Sequence, residues 1–275
     1  MLNALNVRLR VGLAVLVAYA LLGFALSFFA PEDPRAWNNL PSNLPASPKH
    51  LLGTTNLGQD TFWLLTWSIR SSLIIGLIVA FSATVIGVLV GLTAGFRGGL
   101  IDRALTLLMD ALIVIPSLPI LILLASLLKG RASLLLIAGV LVVFNWPWPA
   151  RQARAVALSM RERDFISTAW FSGESGFKII TREIFPYIST WALSNLINTV
   201  LVAIAAEAAL AVIGVSSLGD ATLGSMIYWA LQHQALLGGR YLWIGSPVIA
   251  IMVLFIGLFF LSTGLAERSA LRRGR

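Results

Sequence analysis

Residues 164–186, DFISTAWFSGESGFKIITREIFP, form a polar segment that separates two long apolar stretches of the chain. Charged and hydroxyl side chains gather around Gly173, and the segment ends at Pro186. Glycine often ends a helix by adopting the left-handed conformation, so Gly173 predicts a turn. We therefore predict a short helix, a turn at Gly173 and a second short helix from about residue 174 to residue 185. Such a knob is typical of a docking surface, with an ordinary solvated loop as the alternative.

Two further residues of this segment have expected roles in the first short helix. The Asp164 carboxylate is expected to cap the helix start, where it would accept free N–H groups and complement the helix dipole. Ala169 and Gly173 lie four residues apart, so we expect them to share one helix face. Small side chains on that face would leave a smooth strip against which another protein can pack.

The composition of the chain indicates an integral membrane protein. Hydrophobic residues make up 58% of the 275 residues, and charged residues only 12%. A soluble domain of this size needs more polar surface to cover its core. The apolar runs reach about 20 residues, which suffices to cross a bilayer as helices. They lack the alternation of a transmembrane barrel, so we predict an all-α polytopic membrane protein.

Six apolar runs predict six transmembrane helices. The first run follows Arg8 and Arg10 and resembles a secretory signal peptide, but its apolar core is longer than a typical signal core. We therefore expect it to remain as an uncleaved first span. The predicted spans are 11–30, 72–95, 104–128, 132–149, 190–213 and 245–265.

The distribution of Lys and Arg predicts the orientation in the membrane. Fourteen of the 20 Lys and Arg residues fall on segments that lie inside if the N-terminus is cytoplasmic. The positive-inside rule then places both termini and residues 151–189 in the cytoplasm. Residues 31–71 and 214–244 would face outwards and are rich in Pro, Gly, Asn and Trp. The basic residues on the outer segments are Arg35, Lys49, Arg70, Lys129, Arg131 and Arg240.

Several classes of function are not supported by the sequence. The net charge of +8 collects next to span ends on one side of the membrane, which argues against a nucleic acid partner. The chain has no cysteine, and His50 and His233 are far apart, so we assign no metal site. It also lacks the Walker lysine motif of nucleotide sites and the H-E-x-x-H and G-x-S-x-G motifs of hydrolases. We therefore assign no catalytic residue.

Two carboxylates within the predicted spans are candidates for a translocation path. Asp110 and Glu207 both lie in apolar sequence, where ionised groups are costly and tend to mark a pathway or a buried pair. For each of them, a structural hydrogen bond to a neighbouring helix is the open alternative.

Glycine, tryptophan and proline patterns predict details of the helices. Gly87, Gly91 and Gly95 recur at four-residue spacing, which predicts a close-packing helix face. Residues 146–149, WPWP, are expected to end span four at the inner face of the membrane. The Trp rings would act there as interfacial anchors and the prolines as the helix stop.

Residues 164–186 resemble the cytoplasmic coupling loop of ABC-importer permeases. The signature of that loop is Glu-Ala-Ala, three residues, Gly, and about nine residues that end in an Ile-x-Leu-Pro-like stretch. Here residues 167–169, Ser-Thr-Ala, replace Glu-Ala-Ala, and Glu183 stands where a His is common. The residues assigned to the coupling loop are Asp164, Ala169, Gly173, Ile179, Ile184 and Pro186.

Three further stretches resemble the dipeptide, oligopeptide and nickel branch of these permeases. Residues 91–119 resemble its G-x-x-x-G-Y-x-G-G-x-x-D…D…P-S-L region, and residues 207–214 resemble E-A-x-L-x-F-L-G. Residues 50–60, HLLGTTNLGQD, resemble the outer segment H-x-x-G-T-D-x-x-G-R-D. Over about residues 8–268 the chain thus resembles the C-type permease subunit of that branch. The matching residues of the outer motif are His50, Gly53, Thr54, Gly58 and Asp60.

This resemblance implies a type I ABC importer permease fold, with residues 1–71 as an N-terminal span plus outer segment and residues 72–275 as the permease core. It implies a bacterial or archaeal cytoplasmic membrane, a second homologous permease subunit, two cytosolic ATPase subunits and an extracytoplasmic binding protein. ATP and Mg would bind to the ATPases, so this chain would bind no cofactor and would not be an enzyme. The coupling loop within residues 151–189 would receive the push of the ATPases. The implied cargo is a short peptide.

Other functions stay open on the sequence alone. Thr55 and Gln59 replace the Asp and Arg of the family's outer motif, and Leu223 stands where a Trp is common. These changes keep an oligosaccharide or another small solute open as the cargo of the same machinery. A carrier that works alone with a coupled ion is a more remote alternative, because it needs intramembrane ion sites and an inverted repeat.

Overall fold

The computed structural model describes residues 2–128 and 133–273, and the regular secondary structure of these residues is helical. The described residues do not include Lys129, Arg131 and Arg275. They also do not include residue 132, where span four was predicted to begin. The helices are α1 Leu2–Ala20, α2 Thr61–Arg97, α3 Gly99–Val114, α4 Ser117–Leu128, α5 Leu134–Asn145, α6 Pro147–Arg161, α7 Asp164–Phe171, α8 Gly176–Ile179, α9 Phe185–Val212, α10 Leu223–Gln232 and α11 Tyr241–Arg273.

The number of membrane-length helices confirms the prediction of an all-α polytopic protein. Five stretches among the described residues are long and apolar enough to cross a membrane, and a bent pair of helices makes a sixth if it is counted as one span. The first stretch is α1 extended by a π turn and a 3-10 turn. The five stretches are Val7–Phe29, Thr61–Arg97, Leu134–Arg161, Gly176–Val212 and Tyr241–Arg268.

The second span begins earlier than predicted. Helix α2 starts at Thr61, whereas the sequence predicted a span from residue 72 and an outer segment that reached residue 71. The turns before residue 72 contain buried polar side chains, among them Thr66 and Ser68. These hydroxyls pack against protein instead of lipid. This part of the helix therefore does not appear in the sequence as an apolar run, and the predicted span began too late.

The third predicted span, 104–128, is broken in the structure. Helix α3 ends at Val114, and α4 begins at Ser117 after a bend of 76°. Ile115 has an extended backbone with φ −70° and ψ 121°, as expected for a residue before proline. Pro116 therefore divides the predicted span into two shorter helices, which make one span only if the bent pair is counted together.

The prolines at the end of span four do not stop the helix. Trp146 has helical backbone angles, and α6 begins at Pro147 and continues to Arg161. Proline is tolerated in the first turn of a helix, where its missing N–H has no helical partner to lose. The predicted end of span four at residue 149 was therefore wrong, and the helical rod extends twelve residues further to Arg161.

A similar correction applies at Pro186. The predicted second short helix over 174–185 begins at Gly176, passes through a π turn at Ile180–Ile184 and continues into α9. Pro186 lies in the first turn of α9 and does not end a helix. The knob around Gly173 is thus one end of a continuous helical stretch, Gly176–Val212, that is long enough to cross the membrane.

Helix α2 forms the centre of the bundle and packs against α5, α6, α9 and α10. Its glycine face contacts α6: a Cβ on Gly87 would lie 2.6 Å from the Pro149 Cγ, and one on Gly95 would lie 2.6 Å from the Arg154 carbonyl oxygen. A Cβ on Gly91 would meet the Ala150 carbonyl oxygen. The predicted close-packing face is therefore confirmed. Helices α1 and α11 pack on each other beside this centre, and α11 also packs against α9 and α10.

Candidate functional sites

The segment 164–186 begins with a helix start that differs from the prediction. Arg163, with φ −81° and ψ 142°, occupies the N-cap position, and Asp164 is the first residue of α7. The predicted capping role of Asp164 was therefore wrong. Its carboxylate still lies in the first helical turn, where a negative charge complements the helix dipole. The Thr168 hydroxyl donates to the Asp164 carbonyl oxygen at 2.9 Å.

Gly173 forms the predicted turn, with φ +77°. The Gly173 N–H donates to the Trp170 carbonyl oxygen at 3.0 Å, and the Glu174 N–H donates to the Ala169 carbonyl oxygen at 3.1 Å. This pair of bonds is the Schellman arrangement that ends a helix at a left-handed residue. Gly173 lies beyond the end of α7, so the predicted helix face shared with Ala169 does not form. A Cβ at Gly173 would have no described atom within 4 Å.

The isoleucines of the segment anchor it to the bundle. Ile179 and Ile184 are fully buried in a cluster with Ile166 of α7 and Ile188 of α9. The same cluster includes residues of α2 and α6, and Ala169 packs against it. The Ser175 hydroxyl caps α8 by accepting from the Lys178 N–H at 3.4 Å.

Because these side chains face the core, the segment is held rigidly against α2, α6 and α9. Ala169 is half-buried at the edge of this cluster. A force applied to the turn at Gly173 would thus reach the membrane-spanning helices through buried isoleucine contacts.

Two aromatic side chains that were not predicted as site residues are the most exposed large apolar side chains of this segment. The Phe171 side chain precedes the turn and is 92% exposed, and Phe177 follows the turn and is 76% exposed. Large exposed aromatic rings beside a polar turn are typical of protein contact surfaces. We call Phe171 and Phe177 the aromatic tip. The signal that could have revealed it is the position of these two phenylalanines on either side of the polar turn at residues 172–175.

A cavity of about 610 Å³ lies behind the aromatic tip, between the end of α2 and helices α7 and α8. The Trp170 ring stacks on the Phe96 ring at one side of the cavity, with the ring centroids 5.7 Å apart. Arg97 and Arg161 contribute positive charge to the wall. The remaining lining residues are Thr93, Gly176, Phe177 and Ile180.

The outer motif forms a compact structure at the start of α2. The His50 Nδ1 atom lies 2.7 Å from the Asp60 Oδ2 atom, and both side chains are buried. The other carboxylate oxygen of Asp60 accepts from the Phe62 and Trp63 N–H groups at 2.9 and 3.2 Å. Asp60 therefore caps α2 and binds His50 at the same time.

Gly53, Thr54 and Gly58 hold the preceding chain against this motif. Gly53 and Gly58 have φ values of +73° and +67°, and a Cβ on either residue would meet a backbone carbonyl of the segment before it. The Thr54 hydroxyl accepts from the Leu44 N–H at 2.8 Å and donates to the Pro41 carbonyl oxygen at 2.7 Å. The matched residues of the outer motif thus come together in the structure, and their contacts are with this chain.

The residues that depart from the family pattern also make internal contacts. The Gln59 side-chain amide donates to the carbonyl oxygens of Pro34 and Arg35 at 3.2 and 3.0 Å. The Thr55 hydroxyl accepts from the Gln59 N–H at 3.2 Å. Leu223 is fully buried at the start of α10. Uncharged side chains therefore occupy the positions where the sequence departs from the pattern it resembles.

An aromatic cluster joins the two outer segments. The Trp37 and Trp229 rings meet edge to face with centroids 5.3 Å apart. His233 lies between the rings of Trp229 and Trp243, with centroids 6.0 Å from each. This cluster packs the chain before α2 against α10 and the start of α11, which makes one continuous outer surface.

Glu207 is fully buried near the end of α9, where it organises the connection to α10. Its Oε1 atom accepts from the Ser216 and Thr222 hydroxyls at 3.0 and 2.9 Å. Next to Thr222, the Leu223 N–H donates to the Ser72 hydroxyl of α2 at 3.0 Å. Glu207 therefore makes the buried hydrogen bonds that the sequence analysis left open as an alternative to a pathway contact.

Asp110 has a different environment from Glu207. Its carboxylate lies 3.5 Å from the Arg151 guanidinium of α6, and both side chains are about half exposed. One turn further along α6, Arg154 forms a closer ion pair with Asp102 of α3, including a hydrogen bond of 2.7 Å. Within residues 2–128 and 133–273, no three His, Asp or Glu side chains are grouped to hold a metal ion.

Comparisons with known proteins agree on one family. The family described as "Binding-protein-dependent transport system inner membrane component" matches residues 83–274. The oligopeptide transport system permease protein OppC of Mycobacterium tuberculosis is 30% identical over 250 residues, which cover 90% of this chain and 86% of the relative. OppC of Lactococcus lactis subsp. cremoris is 28% identical over 253 residues, which cover 91% of this chain and 85% of the relative.

A solved structure shows the same fold. A chain of the MetNI methionine ABC transporter, solved in inward-facing conformations, superposes with a TM-score of 0.55 at 17% sequence identity. The match covers 75% of this chain and 96% of that chain. At this level of identity the likeness concerns the fold of the helical bundle.

Proposed function

The chain belongs to the family of binding-protein-dependent transport system inner membrane components, and from this premise we propose that it is a permease subunit of an ATP-driven importer of short peptides. The observation that carries the cargo assignment is the similarity to OppC proteins over nine-tenths of the chain. Those relatives are named for oligopeptide transport. An oligosaccharide cargo has no comparable support.

The proposed partners follow from the same membership. A second permease would complete the translocation path, two cytosolic ATPase subunits would bind and hydrolyse ATP with Mg, and an extracytoplasmic binding protein would deliver the peptide. This chain would then act as a transport component without a cofactor of its own. Its place would be the cytoplasmic membrane of a bacterium or archaeon, with both termini inside.

The segment 164–186 is the proposed contact with an ATPase subunit. The aromatic tip presents two large exposed rings, and the turn at Gly173 sets their spacing. Buried Ile179 and Ile184 connect this segment to α2, α6 and α9, so ATPase closure would move the bundle instead of deforming a loop. In this segment, the Asp164 carboxylate would stabilise the first turn of α7 through the helix dipole. Pro186 would belong to the first turn of α9.

The outer surface is the proposed docking face for the binding protein. It consists of the segment before α2, fixed by His50, Gly53, Thr54, Gly58 and Asp60, and of the connection from α9 to α10. The aromatic cluster joins these two parts. A preorganised outer surface suits a partner that must dock repeatedly, because little conformational entropy is lost on each encounter.

Two measurements test the proposed function. Affinity purification of the tagged chain from its native host should recover ATPase subunits and a second permease. Calorimetry on the partner binding protein should detect di- to pentapeptides, and the assembled transporter should take up the bound peptides with ATP. Tight binding of oligosaccharides without peptide binding would overturn the cargo. Recovery of the chain without any ATPase would overturn the assignment as an ABC importer subunit.

A further inference from the structure

We propose that Asp110 and Arg151 face the water-filled path and form a contact site for the charged termini of a zwitterionic peptide. In this site, Arg151 would bind the C-terminal carboxylate and Asp110 the N-terminal ammonium group. The inference rests on the proposed function, since it assumes a peptide cargo and a second permease that encloses the path. The proposed function does not specify which side chains line the path, and this inference names two of them.

The first step is the depth of Arg151 in the bundle. Helix α2 has no charged residue between Arg70 and Arg97, so its intervening apolar residues mark the hydrocarbon region. Gly91 contacts the carbonyl of Ala150, the neighbour of Arg151. Gly91 precedes Arg97 by six residues, which corresponds to about 9 Å along a helix. The backbone of Arg151 therefore lies level with an apolar part of α2, so the cytoplasmic segment that was predicted to begin at residue 151 would begin later in the chain.

The second step is the exposure of the pair. The Arg151 side chain is 59% exposed and the Asp110 side chain 46% exposed in this chain alone. Charged side chains at this depth rarely face lipid and usually face a bundle interior or a water-filled cavity. The face that carries Asp110 and Arg151 is therefore turned towards the path and away from the lipid.

The third step is the unused binding capacity of both groups. The 3.5 Å contact joins one guanidinium nitrogen of Arg151 to one carboxylate oxygen of Asp110. A guanidinium has five N–H donors and can bind a carboxylate through two parallel bonds. The neighbouring pair Asp102–Arg154 is more buried and uses both carboxylate oxygens, so it is already satisfied as a structural pair.

The chemistry of the pair matches a zwitterion. A peptide carboxylate can compete with Asp110 for Arg151, while the released Asp110 carboxylate can accept from an ammonium group. An uncharged solute offers neither exchange. Because both contacts remain close to water, each would be weak, which suits a path that must release its cargo.

Cysteine labelling of the assembled transporter in nanodiscs tests this inference. The chain has no cysteine, so labelling of its own gel band reports only an introduced thiol. The variants are Asp110→Cys and Arg151→Cys, with Phe259→Cys as the control on an exposed apolar position of α11. The probe is a charged methanethiosulfonate reagent, added to the nucleotide-free complex without and with a tripeptide. Nanodiscs expose both faces, so the test does not depend on the binding protein.

We expect the reagent to modify Asp110→Cys and Arg151→Cys at least about tenfold faster than Phe259→Cys, since ionised reagents avoid lipid. A free tripeptide should slow both reactions. A C-amidated tripeptide lacks the carboxylate that Arg151 would bind, so it should fail to protect Asp110→Cys, in which Arg151 remains. An N-acetylated tripeptide lacks the ammonium group that Asp110 would bind, so it should fail to protect Arg151→Cys, in which Asp110 remains.

Three results would overturn the inference. Slow labelling at both positions would place the pair against the second permease or lipid. Fast labelling without protection by the free tripeptide would show that the tripeptide does not bind at this pair. Equal protection by free and blocked tripeptides would show that the pair does not recognise the charged termini. Each of these results can occur while the wild-type complex still imports peptides, so they are distinct from failure of the proposed function.

Discussion

The His50 imidazole and the Asp60 carboxylate are joined by a 2.7 Å contact that links the outer segment to the first turn of α2. Asp60 also accepts the Phe62 and Trp63 N–H groups as the N-cap of this helix. One buried carboxylate therefore fixes both the start of the central helix and the loop above it. This connection makes the outer surface a part of the bundle and not a separate appendage.

Separate replacements of Asp60 should distinguish its two contacts. Asp60→Asn keeps a side-chain oxygen for the helix cap but loses the negative partner of His50, and Asp60→Ala loses both. Loss of an N-cap costs about 1 kcal/mol. We expect unfolding in detergent to rank the proteins as wild type, then Asp60→Asn, then Asp60→Ala in decreasing stability. Equal stability of the two variants would show that the cap contributes nothing measurable.

Replacement of Gly173 should uncouple transport from ATP hydrolysis. Gly173→Trp places a bulky residue at a left-handed position, which costs about 1–2 kcal/mol locally and alters the spacing of the aromatic tip. We expect loss of peptide uptake with normal membrane insertion.

Gly99→Trp is the matched control, because Gly99 also has a positive φ of +62° and no described neighbour within 4 Å of a Cβ. It should retain most uptake, since Gly99 is the first residue of α3 and lies outside the segment 164–186. Normal uptake by Gly173→Trp in a reconstituted complex would contradict the assignment of this turn to coupling.

Truncation of the aromatic tip should weaken ATPase binding. Phe171→Ala and Phe177→Ala remove exposed rings, so the fold of this chain should be unaffected. Aromatic anchors at the centre of an interface contribute about 2 kcal/mol or more, which corresponds to about a thirtyfold loss of affinity. Co-purification with the ATPase measures the effect, and Phe259→Ala on α11 serves as the control. Unchanged recovery of ATPase with both tip variants would place the contact elsewhere.

Glu207 should tolerate an amide but not truncation. Glu207→Gln retains a side-chain oxygen for the Ser216 and Thr222 hydroxyls, whereas Glu207→Ala leaves both without this acceptor. A buried polar group without a partner costs about 1–3 kcal/mol. We expect near wild-type unfolding for Glu207→Gln and a clear destabilisation for Glu207→Ala. Wild-type uptake is also expected for Glu207→Gln, and its loss would indicate that the charge itself participates in transport.

The proposed orientation predicts which positions react from outside. Single cysteines at Ser42 and Gln232 should be labelled by a membrane-impermeant maleimide added to intact cells, whereas Ser175→Cys should be labelled only after permeabilisation. All three positions are exposed in this chain. Labelling of Ser175→Cys in intact cells would reverse the orientation.

Local sequence patterns predicted the features that depend on neighbouring residues. Gly173 predicted a turn because few other residues adopt its left-handed backbone. The four-residue spacing of Gly87, Gly91 and Gly95 predicted a close helix contact, which occurs against α6. The apolar runs predicted about six spans because a bilayer requires helices of that length and polarity.

The tertiary structure decided the features that depend on residues far apart in the chain. The polar turns of α2 before residue 72 are helical because protein surrounds them, and the Pro147 and Pro186 positions continue helices because they fall in first turns. Glu207 and Asp110 have similar sequence surroundings, yet one is buried among hydroxyls and the other lies exposed beside Arg151. Composition determines that a segment prefers the membrane, whereas the partners of each polar group are determined only when distant helices pack together.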